Sequence, residues 1–89
     1  MIYYCYAIHD QKTGSFAQPF YAINAEVAAR LVVQSALKME NVVGQFPMDF
    51  SLFALGSFDD ELGAFQNLQS PQNLGSVAAL KKGMSHAQE

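Results

Sequence analysis

Residues 24–39, NAEVAARLVVQSALKM, decide the fold of this 89-residue chain. Asn24 suits a helix N-cap, and Glu26 puts an acid in the first turn, where the helix dipole favours it. From Ala25 to Met39 the apolar residues recur at helical spacing. Ala28, Leu31, Val32, Ser35 and Met39 form one stripe, and Ala29, Val33, Ala36 and Leu37 widen it. Val27, Arg30, Gln34 and Lys38 lie elsewhere on the helix. So wide an apolar arc fits a helix packed on a sheet with a second contact behind it. On either side of this helix the pattern changes to the period of two that marks strands.

Upstream, Ile2 to His9 is rich in aromatic and branched residues and reads as a strand. Tyr4, Tyr6 and Ile8 share one face, and Tyr3, Cys5 and Ala7 share the other. Both faces are largely apolar, as in a central or doubly covered strand. Asp10 to Gly14 reads as a turn, with Gly14 suited to positive φ. Phe16 to Ile23 returns as a second strand, and Pro19 inside it implies an edge or a bulge. Downstream, Glu40 to Pro47 reads as a loop. Asp49 to Phe58 reads as a third strand, with Phe50, Leu52 and Ala54 on one face and Phe53 and Leu55 on the other. Asp59 to Gly63 is a turn, and Ala64 to Gln69 a fourth, shorter strand. The two turns echo each other: Asp10-x-x-x-Gly14-Ser15-Phe16 and Asp59-x-x-x-Gly63-Ala64-Phe65. Shared hairpin chemistry explains this better than a duplication, because little else matches. Ser70 to Asn73 reads as a loop or helix lead-in, Leu74 to Lys82 as a short helix, and 83–89 as a disordered tail. The expectation is one α+β domain over residues 1–82, in the order ββαββα. It has an antiparallel sheet from two β-hairpins, one long helix packed on it and a short C-terminal helix. Which strands meet across the join is not readable from the pattern.

Apolar residues make up 51% and charged residues 15%, with seven Phe and four Tyr. A small monomer struggles to hide so many rings, so a homo-oligomer is expected. The net charge of −3 argues against a strong non-specific nucleic-acid binder. The charges are segregated. Glu40 to Phe65 holds five acids and no base, while Lys12, Arg30 and Lys38 precede it and Lys81 and Lys82 follow. The one cysteine, Cys5, cannot form an internal disulfide and fits a reducing compartment. Neither a signal-peptide pattern nor a membrane-length apolar run is present, so no membrane partner is expected.

Candidate chemistry is sparse. Asp59-Asp60-Glu61 lacks the alternating ligands of a calcium loop and reads as a solvated turn. Cys5 and His9 fall on one strand face, but no oxyanion loop and no orienting acid beyond Asp10 accompany them. No catalytic, cofactor or metal-binding set emerges, and the chain reads as a non-enzyme. Tyr3, Tyr4, Tyr6, Phe16, Phe20 and Tyr21 build an aromatic hairpin. Exposed rings on a sheet stack the bases of single strands, at roughly 1–3 kcal/mol each. The alternative is that these rings are core and dimer interface. Lys12 sits at the hairpin tip, Arg30 and Lys38 lie two helical turns apart, and Lys81 and Lys82 end the short helix, where they also favour its dipole. The candidate nucleic-acid residues are therefore Tyr4, Tyr6, Lys12, Arg30, Lys38, Lys81 and Lys82. So few cations imply weak, salt-dependent contact.

Three stretches taken together carry a resemblance: Tyr6 to Asp10 with Gln18 to Ala22, Gln45 to Phe53, and Leu55 to Asp60. In order and spacing they resemble the small non-structural protein of gokushovirus-type microviruses (Microviridae), icosahedral phages with small circular single-stranded DNA genomes. The family pattern D-x-K-x-x-x-[FY]-x-x-P-F reads here from Asp10 to Phe20. A second pattern, F-x-x-x-P-x-D-[FY]-x-L-[FY]-x-[LI]-G-x-[FW]-[DN]-D, is followed from Val43 to Asp60, with a shorter run before Pro47. The likeness covers about residues 6–75. It implies an accessory protein in the host cytoplasm, named by genome position a DNA-binding or single-strand DNA synthesis protein, and it brings no catalytic residues with it. Two functions follow as expectations. One is binding of single-stranded DNA during genome synthesis or packaging. The other is an interaction module for the phage initiator, a procapsid component or a host replication factor.

Overall fold

The computed structural model describes residues 1–36 and 42–87. Its elements are β1 (Ile2–Asp10), β2 (Ser15–Phe16), β3 (Phe20–Ala22), α1 (Ala25–Ala36), α2 (Val42–Gln45), β4 (Phe50–Asp59), β5 (Ala64–Ser76) and α3 (Val77–Ala87). This is the expected α+β class: an antiparallel sheet with a long helix packed on it and a short C-terminal helix. The join that the pattern left open is closed by β1 and β4. They pair antiparallel from Ile2↔Asp59 to Asp10↔Phe50 and form the centre of the sheet. β5 borders β4, and β2 and β3 both border β1.

The expected second strand is split. β2 and β3 flank residues 17–19, and Pro19, which has no N–H to donate, falls in this gap on the sheet edge. The fourth strand is longer than expected. β5 continues through residues 70–76 because the amide-rich segment stays extended around a bulge. Asn67 pairs with Gly56 and Gln72 with Ala54, so residues 68–71 stand opposite Leu55 alone. Pro71 sits inside that bulge, where no ladder hydrogen bond is required of it. Leu74 to Ser76 therefore belong to the strand, and α3 begins at Val77, where Ser76 Oγ accepts from the Ala79 N–H at 3.1 Å. α3 then runs through Ala87, over the first residues of the stretch read as a tail. Within the expected loop 40–47 lies the single turn of α2. Residues 37–39 of the expected long helix lie outside the described residues.

The two echoed turns use one chemistry. The Gly14 N–H donates to the Asp10 carbonyl and the Gly63 N–H to the Asp59 carbonyl, each at 2.8 Å. The Asp10 and Asp59 carboxylates accept from the Lys12 and Glu61 N–H groups at 2.9 Å. The glycines hold φ of 73° and 64°, which a side chain resists.

The core lies between the sheet and the helices. Tyr6, Ala22, Phe50 and Leu52 meet Ala28, Ala29, Val32 and Ala36 of α1 and Val77 of α3. The helix is turned from the expected stripe: Leu31 is 46% exposed and Ser35 is exposed, while Ala29, Val33 and Ala36 are buried. The bulk comes from sheet rings such as Tyr6, Phe20 and Phe50, so small helix residues let the two layers approach to close packing. All three described helices contribute to this one side, because Val43 of α2 and Leu80 of α3 pack on the same cluster. The opposite side carries Tyr3, Cys5, Ala7 and His9 from β1, with Phe53 and Phe58 from β4 in register and Phe16, Tyr21 and Phe65 from β2, β3 and β5. No described helix covers it.

Candidate nucleic-acid interface

On the helix side, the β4–β5 half of the sheet is left open beyond the start of α1, and a groove of about 510 Å³ lies there. Ala25 of α1 and Tyr4 line one part of it, Ala54, Gly56 and Ser57 another, and Gln66, Asn67, Leu68, Gln72 and Leu74 of β5 complete it. Local sequence explains this shape. Gly56 has no side chain, so the β5 backbone closes on it: a Cβ there would overlap the Gln66 carbonyl oxygen and come within 3.0 Å of Asn67 Cα. The adjoining bulge begins at Leu68 and ends before Gln72, and both residues line the groove.

The lining is largely apolar, with a few polar groups and no charge. Gln66 and Gln72 each offer an amide that both donates and accepts, and Ser57 offers a hydroxyl. Such groups match the edges of nucleic-acid bases. The Tyr4 ring is 45% exposed and offers a stacking face. The start of α1 does not add an anion site, because Asn24 Oδ1 already accepts from the Val27 N–H at 2.8 Å and Glu26 occupies the first turn.

The structure brings only some of the sequence candidates together. Tyr4 is on the groove. Tyr6 also borders it but is 4% exposed, with its ring centroid 6.1 Å from that of Phe20, so it serves as core rather than as a stacking surface. Burial, with Tyr4 nearby, pushes the Tyr6 phenol up. Arg30 on α1 and Lys81 and Lys82 on α3 are exposed, and their helices pack on the groove's side of the sheet. Lys12 is exposed in the β1–β2 turn, beyond the far end of β1 from Tyr4. Lys38 lies outside the described residues. Sequence reasoning missed Ser57, Gln66 and Gln72. Their signal was present: residues 64–76 carry four Gln or Asn by position 72 and no charge at all.

The aromatic hairpin of the sequence is divided between the two sides of the sheet. Tyr4, Tyr6 and Phe20 face the helices, whereas Tyr3, Phe16 and Tyr21 face away. On the uncovered side Tyr3, Tyr21, Phe58 and Phe65 surround an apolar hollow of about 340 Å³. The Phe58 and Phe65 centroids are 4.8 Å apart. Farther along, His9, Phe16 and Phe53 form a second cluster with centroids 4.7–5.5 Å apart. His9 is thus engaged with rings, and Cys5, in register with Tyr21 and Gly56, has its thiol pushed up by burial. Among the described residues no group of three or more His, Cys, Asp or Glu stands together to hold a metal ion. None of the described helices is long and apolar enough to cross a membrane.

The family model described as Phage ORF5 protein matches residues 3–80. No curated protein and no solved structure matches the chain.

Proposed function

The chain belongs to the phage ORF5 protein family, and from that premise we propose that it is a non-enzymatic accessory protein binding single-stranded DNA during genome synthesis or packaging of a gokushovirus-type microvirus, in the bacterial host's cytoplasm. The observation that carries the reading is the uncharged groove, with the Gln66 and Gln72 amides on its lining and the exposed Tyr4 ring at its edge. A base stacks on Tyr4 and presents its edge to Gln66 or Gln72. Only an unpaired base can do so, which gives the preference for single strands. Arg30, Lys81 and Lys82, carried on the same side, meet the phosphates. With three such contacts the logarithm of affinity falls against the logarithm of salt with a slope of about −2.

The test is fluorescence anisotropy of labelled single-stranded and duplex oligonucleotides at two salt concentrations. The expected result is single-strand preference, the shallow slope above, and a loss of roughly 1–3 kcal/mol in Tyr4→Ala. No binding at low salt by folded protein sinks the reading.

A second reading is favoured by the net charge of −3 and by the lack of any charged residue on the groove lining. In it the same groove takes an extended peptide of the phage initiator, a procapsid component or a host replication factor, held by backbone hydrogen bonds to the amides. Tyr4→Ala then weakens capture of that protein, and no oligonucleotide competes with it.

A further inference from the structure

We propose that the uncovered aromatic side of the sheet is the contact surface between two copies of this chain, packed sheet against sheet. Three observations select a second copy as the occupant. First, none of the strand residues in register on this side is an Asp, Glu, Lys or Arg. In a two-fold contact a patch meets itself, so a charged patch repels its own image, whereas a neutral ring-lined one does not. A nucleic acid or a strongly charged partner would call for cations or complementary charge here. Second, the rings stay open: Phe65 is 65%, Tyr21 46% and Phe16 44% exposed, around the hollow bordered by Tyr3 and Phe58. Aromatic side chains of one copy fit the hollow of the other in offset or edge-on contact, as ring pairs prefer.

Third, the chain as a whole exposes more surface than a compact monomer of its mass. A compact monomer of 9.8 kDa exposes roughly 5,200 Å². This chain exposes 6264 Å². The surplus of about 1,100 Å² compares with roughly 800 Å² removed per subunit at a standard interface. The molecule is also thin, 39 × 33 × 21 Å, as half of a layered dimer is. Two copies facing each other stack four layers, helix–sheet–sheet–helix, with the inner sheets about 10 Å apart. The grooves then stay on the two outer sides, so this contact stands or falls independently of what the grooves bind.

Sedimentation velocity over a wide concentration range tests the contact on the full chain. The wild type is expected to pass from monomer to dimer. Tyr21→Glu and Phe65→Glu, both at exposed positions, are expected to raise the dimer dissociation constant at least about tenfold, because each puts a charge against its own image. Met48→Glu, at an exposed apolar position next to Pro47, whose carbonyl accepts from the Ala78 N–H of α3 on the helix side, is expected to leave it unchanged. Far-UV circular dichroism confirms folding, and Phe65→Ser serves where a glutamate variant unfolds. Cys5 provides a second readout: its labelling by a maleimide is expected to quicken in the weakened variants. A wild type that stays monomeric at its highest soluble concentration overturns the proposal. So does a dimer that Tyr21→Glu and Phe65→Glu do not weaken. A monomer that still binds single strands overturns this contact alone and leaves the groove reading standing.

Discussion

A methyl group on residue 56 would have to share space with the Gln66 carbonyl oxygen, and neither backbone can swing aside as a flexible side chain could. Gly56→Ala is therefore expected to prise β5 from β4 and to lower stability by about 1–3 kcal/mol, the range for overpacking. Urea unfolding measures the loss. The oligonucleotide titration should weaken with it, since the displaced Gln66 and Asn67 line the groove. Nothing local in Leu55-Gly56-Ser57 announces this constraint, because it arises where two distant backbones meet. Tyr3 and Tyr4 teach a related lesson. Alternation assigned them correctly to opposite sides of β1, yet it could not tell which side the helix would cover. Both sides are apolar, and only the partner across the sheet decides.

At the scale of elements, the clearest signals are those with local chemistry. Asn24 is read as a cap from the sequence and acts as one, accepting from Val27 at 2.8 Å. Asn24→Ala is expected to cost about 1 kcal/mol, and Asn24→Asp to restore most of it. Thermal unfolding of the three proteins side by side checks this. The Asp-x-x-x-Gly turns were legible for the same reason, since their hydrogen bonds close within five residues. The extension of β5 was not. Ser70-Pro71-Gln72-Asn73 has the composition of a loop, and what holds it extended is pairing with β4 on both flanks of the bulge. The facing of α1 was also hidden. Its apolar arc spans more than half a turn, so its inner face was chosen by the large rings beneath it, which favour alanines over Leu31.

For the whole molecule, two acidic protons, on the partly buried Cys5 and the buried Tyr6, lower stability at alkaline pH. The unfolded chain releases the Cys5 thiol and the Tyr6 phenol near their ordinary values of 9.0 and 10.0. The native state keeps both to higher pH, because burial disfavours the anions. The native state thus holds more protons than the unfolded one in this range. Stability is full below these values and declines as pH rises through them. Urea midpoints measured from neutral to alkaline pH should show the decline, and Cys5→Ser with Tyr6→Phe should flatten it.

The pairing of β1 with β4 also governs the order of events during synthesis. Each β-hairpin closes over a short turn, but an isolated two-stranded hairpin is marginal in water. What makes the sheet a sheet is the seam joining residue 10 to residue 50 and residue 2 to residue 59. The first-made strand must therefore wait, its rings bare on both sides, until the ribosome has delivered the chain past Asp59. Contacts between such distant residues are slow to form because the intervening loop must first be closed. The nascent protein is most vulnerable to aggregation and proteolysis in that interval, which closes only once β4 can pair with β1.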